Sequence, residues 1–226
     1  MNVLDKKEVR AVFSKTDRAV YISHLDLMRT IQRAVKRAKL PVWYSEGFNP
    51  RIYLCCPLPL ALGVYSECEA VDFYVIEDIS LEEIKERLNK VLPDGIHINK
   101  VYEPVNKNKD ISQAEYNICM SCSSGDTAAQ FEAFMSAGKI EVKKRTKKKG
   151  EVTIDIKPMT EILSVSAGDN GSAQILCRLP AGVETNVNAA VLADAFIEKC
   201  SEKGITAECL YVKRTKILCK YQAEFV

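Results

Sequence analysis

Two kinds of hydrophobic period alternate along this chain in a fixed order, and the order occurs twice. From Glu8 the apolar residues Val9, Ala11 and Phe13 alternate with polar ones, the period of a half-buried strand. The next segment, SHLDLMRTIQRAVKRAKL, changes to a helical period, with Leu25, Met28, Ile31, Val35 and Ala38 three or four residues apart. Ser23 is placed to cap its free amides, Asp26 suits the positive helix end, and Pro41 stops it. RIYLCCPL and ECEAVDFYVIE read as strands. ISLEEIKERLNKVLPDG reads as a helix with Ser80 and Glu83 in a capping box and with Pro93 and Gly95 at its end. IHINKVYEPV returns as a strand, so the order is strand, helix, strand, strand, helix, strand, as in a ferredoxin-like unit.

The polar stretch NKNKDIS, residues 106 to 112, has no period and reads as a linker. Beyond it AEYNICMSC is a strand, TAAQFEAFMSAG a short helix, and IEVKKRTKKKGEVTIDI a hairpin around Lys149-Gly150. SAQILCRLP is a strand, VNAAVLADAFIEKCSEKG a helix, and ITAECLYVKRTKILC a final strand. The expected class is therefore α+β, two tandem ferredoxin-like (βαββαβ) domains with antiparallel sheets, over residues 1–106 and 107–226. A length of 226 residues with 47% hydrophobic content supplies a core for each half.

A formal net charge of +2 points to no partner by itself, so any basic surface has to come from local clusters. The nine cysteines lie mostly in apolar runs such as IYLCCPL and AQILCRL, where a thiol acts as a small buried hydrophobe. The N-terminus lacks the layout of a secretory signal, and no apolar run approaches the roughly 20 residues of a membrane helix. A soluble protein of the reducing cytoplasm is expected, with no membrane partner.

Three clusters stand out as candidate sites. The stretch YSEGFNPR carries turn chemistry at Gly47 and Asn49-Pro50. It also places Tyr44 and Phe48 on a loop, beside Ser45, Glu46 and Arg51. On the preceding helix Arg29, Arg33, Lys36 and Arg37 share one face and can meet one extended polyanion. Bases beside aromatics are how single-stranded RNA is held, whereas the plainer reading of either feature alone is a connecting loop or a solvated face. The third cluster is KKRTKKK, with Lys143, Lys144, Arg145, Lys147, Lys148 and Lys149 on a hairpin that suits phosphates or an acidic protein surface.

Other motifs carry less. Cys119 and Cys122 form a CxxC with no second pair, and on a strand their thiols point to opposite faces, so structural cysteines are the expectation and no metal is assigned. No cofactor-binding motif is present and none is expected; three close cysteines at iron-sulfur spacing are lacking. Tyr21 and His24, next to Asp26, are the candidates for acid-base chemistry.

From Tyr21 to Val75 the chain resembles the radical-SAM-linked protein family, a bacterial domain of unknown function. The matching residues are Ser23-His24-Leu25-Asp26 before a basic helix, Ser45 to Pro50, the Pro57 to Gly63 turn, and Glu69 with Asp72. A looser match runs from Arg145 through Gly150 to Asp155-Ile156-Lys157-Pro158. After Asn49-Pro50 the family continues with His and Pro, whereas this chain has Arg51-Ile52-Tyr53 and keeps a positive group there. The resemblance implies a radical SAM protein as partner and an RNA context.

The expected function is an accessory or substrate-binding module that acts with a radical SAM protein and engages RNA, without an iron-sulfur cluster of its own. Two other readings compete: a metal-independent RNA-processing or RNA-modifying enzyme using Tyr21 and His24, and a protein-interaction scaffold docking through the lysine-rich hairpin.

Overall fold

A computed structural model describes residues 6–136, 138–146, 150–183 and 185–226. The fold is α+β, with antiparallel strand pairs and four α-helices among the described residues. The chain divides into two compact units, one running to Asp110 and including Phe225–Val226, the other Ile111–Glu224.

In the first unit, β1 (Lys7–Lys15) lies between β3 (Ile96–Tyr102) and β2 (Val64–Val75) and is antiparallel to both. The helices α1 (His24–Arg37) and α2 (Leu81–Asn89) supply one wall of the core and the strands the other. Val9, Ala11 and Phe13 meet Val71, Phe73 and Val75 from the strands, and Leu27, Ile31, Ala34, Val35, Ile84 and Leu88 from the helices. Ser23 and Ser80 cap the helices as expected, each accepting from an amide three residues on.

Two expectations change in this unit. The buried stripe of α1 is Leu27, Ile31, Ala34, Val35 and Ala38, a better fit to 3.6 residues per turn than one starting at Leu25, which is 65% exposed. RIYLCCPL does not form a strand and keeps only the isolated bridges Tyr44↔Ile52 and Cys55↔Asp72. Pro57 and Pro59 lack the amide hydrogen needed to extend that ladder. Beyond these, the Lys15 side chain points inward in step with Val9, Ala11 and Phe13, the irregular register at that point being taken up on β2 between Ser66 and Glu69. Its ammonium donates to the carbonyls of Val20 and Ile22, both at 3.2 Å, tying β1 to the 3-10 turn Asp17–Tyr21.

The second unit has the sheet order β9 (Ala207–Cys219), β4 (Ile111–Cys122), β8 (Ala173–Pro180), β7 (Glu161–Ala167), each neighbour antiparallel. α3 (Thr127–Ser136) and α4 (Ala189–Glu202) join through Phe131, Phe134 and Phe196, whose ring centroids lie 5.3–5.7 Å apart. The expected hairpin exists as β5 (Glu141–Thr146) and β6 (Gly150–Asp155), but it forms a two-stranded sheet of its own. The strand beside β8 is β7, EILSVSA, which the sequence reading leaves unassigned.

Candidate nucleic-acid interface

Helix α1 buries its apolar stripe, and that leaves Arg29, Arg33, Lys36 and Arg37 exposed. Arg29 pairs with Asp26 at 3.2 Å, and the Arg37 guanidinium donates to the Val91 carbonyl at 2.9 Å. Asp26 also accepts from the Ser23 hydroxyl at 2.7 Å. The hydrogen bond from Ser23, followed by that from Arg29, holds the Asp26 carboxyl below the usual carboxylate range.

The stretch YSEGFNPR is a closed loop. The Ser45 amide donates to the Arg51 carbonyl at 2.8 Å and the Arg51 amide to the Ser45 hydroxyl at 3.0 Å, next to the Tyr44↔Ile52 bridge. Gly47 has φ +120°, a conformation that side chains disfavour, and it turns the chain at the tip. Phe48 there is fully exposed, and Glu46, Asn49 and Arg51 are exposed with it. No hydrogen bond or ion pair among the described residues joins the four bases of α1 to this loop.

The loop rises from an aromatic base that sequence reading does not single out. Trp43 precedes the loop and Tyr53 follows it; their rings lie 6.5 Å apart, and that of Tyr74 on β2 is 6.2 Å and 5.3 Å from them. The Lys6 ammonium stands 4.1 Å above Trp43 and 4.8 Å from the Tyr74 ring. Beside this cluster is a cleft of about 360 Å³ whose lining includes Glu8, Tyr53, Tyr74, Asp72, Asn106 and Asn108. Burial first, then neighbouring acidic groups, pushes the Tyr53 and Tyr74 hydroxyls up, so both stay protonated donors.

At this cleft Arg10 grips Asp72 with two bonds, Nε to Oδ1 at 2.7 Å and Nη2 to Oδ2 at 2.9 Å, and Nη2 also donates to the Asn106 carbonyl at 3.0 Å. The Phe225 ring covers the guanidinium face at 3.9 Å, while Nη1 is buried without a hydrogen-bond partner. A single charged residue inside each of the apolar runs VRAVF and AVDFYV was the available signal for this site.

The remaining candidates are dispersed. Tyr21 is 70% exposed at the end of its 3-10 turn. His24 is half-buried, and its Nδ1 has no partner; Asp26 is turned to Ser23 and Arg29, so no carboxylate orients the ring through that nitrogen. Lys143 is exposed on β5; Lys144 and Arg145 follow it on the strand, and Lys147, Lys148 and Lys149 lie outside the described residues. Cys119 accepts from Gln174 at 3.2 Å, whereas Cys122 is 2.9 Å from the Ser124 hydroxyl and accepts from Thr127 at 3.3 Å. Burial raises the Cys122 thiol, but these hydroxyls and two backbone amides outweigh it and leave the thiol below its usual range. No group of three metal-ligating side chains occurs among the described residues, and no helix among them is long and apolar enough to cross a membrane.

No curated protein matches the sequence. Among solved structures, the chain is similar to one in a Cbf5-Nop10-Gar1 complex, at 13% identity and a TM-score of 0.45, covering 93% of this chain and 48% of that one. It thus spans about half the length of that chain. It is also similar to an unknown protein from Galdieria sulphuraria, at 12% identity and a TM-score of 0.27, covering 91% and 98% of the two chains. Residues 8–189, most of the chain, match the family described as uncharacterized protein conserved in bacteria (DUF2344), and the protein belongs to that family.

Proposed function

We propose that this protein is an RNA-engaging accessory module of two α+β units that acts with a radical SAM protein and carries no iron-sulfur cluster itself. The observation that carries the RNA part is the pairing, within one unit, of four exposed bases on α1 with a fully exposed Phe48 on a hydrogen-bonded loop. Burying a bare phenyl ring against a base offsets the cost of exposing it to water, and base-aromatic stacking tolerates any sequence. In this reading Arg29, Arg33, Lys36 and Arg37 neutralise phosphates, Tyr44 and Phe48 stack, and Ser45, Glu46, Gly47, Asn49 and Arg51 shape the loop. Lys143 and the lysine-rich hairpin extend the basic surface of the second unit. The radical SAM partner rests on the sequence resemblance.

The test is binding of total cellular RNA as a function of salt, comparing wild type with a variant neutralised at Arg29, Arg33, Lys36 and Arg37. The expected result is a steep fall of affinity with salt and a log–log slope shallower by about three or four units in the variant. Equal slopes, or no binding by either protein, overturn the reading.

A further inference from the structure

The cleft beside the loop has no role in the reading above. Its volume of about 360 Å³ is small for a ligand site and suits one nucleoside-sized molecule. Tyr53, 42% exposed, gives the lining an aromatic ring, and Val105, 78% exposed, adds an aliphatic side chain. Glu8 lies directly across the β1–β2 ladder from Tyr74, and the Tyr74 hydroxyl donates to its carboxylate. That bond orients Glu8 and leaves it further acceptor positions. Lys107 and Lys109 line the same cleft and are exposed.

We propose that this cleft binds a guanine base, stacked on Tyr53, with the Glu8 carboxylate accepting from two adjacent donors of its Watson–Crick edge. The choice of base follows from hydrogen-bonding chemistry. A carboxylate only accepts, so it favours an edge with two neighbouring donors, and guanine supplies these as its ring N–H and exocyclic amino group. Adenine and cytosine set a ring acceptor beside their amino group, and uracil flanks its one N–H with two carbonyls; each of these repels a second carboxylate oxygen. Lys107 and Lys109 then stand near the attached phosphate, as a pair of charges at the mouth needs. The inference deepens the RNA reading and rests on it only for the source of the base, since a free guanine nucleotide presents the same edge.

The experiment is equilibrium binding of GMP and AMP, and of UUGUU and UUAUU oligonucleotides, to wild type, Glu8→Gln and Tyr53→Leu. Wild type should prefer the guanine member of each pair by about tenfold. Glu8→Gln, isosteric at an exposed position, should abolish that preference, and Tyr53→Leu should weaken both members by about tenfold. A preference seen only with the mononucleotides assigns the site to a free nucleotide, and one seen with both assigns it to RNA. Equal binding of GMP and AMP, no binding of either, or a preference that survives Glu8→Gln overturns the proposal. The two readings fail separately: salt-dependent RNA binding without a guanine preference removes this assignment alone, and a GMP preference without RNA binding removes the RNA reading alone.

Discussion

Arg10 and Arg178 hold matching places in their units, each directly opposite a carboxylate across an antiparallel strand pair: Arg10 faces Asp72, and Arg178 faces Glu115. Their surroundings differ. The Arg10–Asp72 side chains are 1% and 5% exposed, and the arginine's remaining contacts are a backbone carbonyl and a ring face. Arg178 meets Glu115 at 2.8 Å and also Glu161 at 2.9 Å, whose side chain is 51% exposed, and Glu115 lies 3.5 Å from Lys216. One pair is sealed and the other is part of a chain of charges that reaches water. The difference sets an expectation: a buried ion that keeps a second charged partner when the first is lost should cost less than one that does not.

The sharpest way to break the comparison is to delete one acid from each pair. Asp72→Ala strands a buried guanidinium and should cost about 3–5 kcal/mol in urea unfolding. The transition can be followed by the fluorescence of Trp43, the single tryptophan, in the same unit. Glu115→Ala leaves Arg178 its bond to Glu161 and should cost about 1.5–3 kcal/mol by far-UV circular dichroism. Equal losses would mean that Glu161 gives no relief.

Lys15 sharpens the point from the cation's side. Burial, opposed by the charge of Glu69, lowers its pKa from 10.5, so the folded chain gives up this proton before the unfolded chain does. Between the lowered value and 10.5 the unfolded state binds more protons, and the stability of the first unit should rise with pH. Lys15→Met should flatten that rise, and a Trp43-detected urea midpoint with the same alkaline slope in both proteins would refute the assignment. Smaller effects test whether ordinary helix ends behave alike in the two units. Ser23→Ala on α1 and Asn188→Ala on α4 each remove a side-chain cap and should each cost about 1 kcal/mol, read from urea midpoints. Glu161→Ala removes only the exposed end of the network and should change stability by about 0–1 kcal/mol in the same assay.

Much of the fold was legible because capping and period act locally. Ser23, Ser80 and Pro41 mark helix ends through groups a few residues away, and Val9, Ala11 and Phe13 alternate because one face of β1 meets a core. Strand β7 escaped because Glu161, Ser164 and Ser166 interrupt any apolar alternation on a sheet edge, where pairing on one side suffices. RIYLCCPL misled in the opposite direction, since its apolar content suggests a strand, whereas Pro57 within it and Pro59 just after it deny the ladder. In the candidate site the turn at Gly47 and the exposed basic face were readable from spacing. The cleft was not, because Glu8, Tyr53 and Asn108 come from three separated segments that only tertiary pairing brings together.

The β5–β6 hairpin is inserted between α3 and β7 and forms a sheet of its own, separate from the ladder that β7 joins. The entropy of closing such an insertion grows only as the logarithm of its length. Residues can therefore be gained, lost or recharged there while the register from β4 to β9 stays fixed. The hairpin is thus the place where descendants of this chain can acquire a new partner at little cost to the unit that bears it.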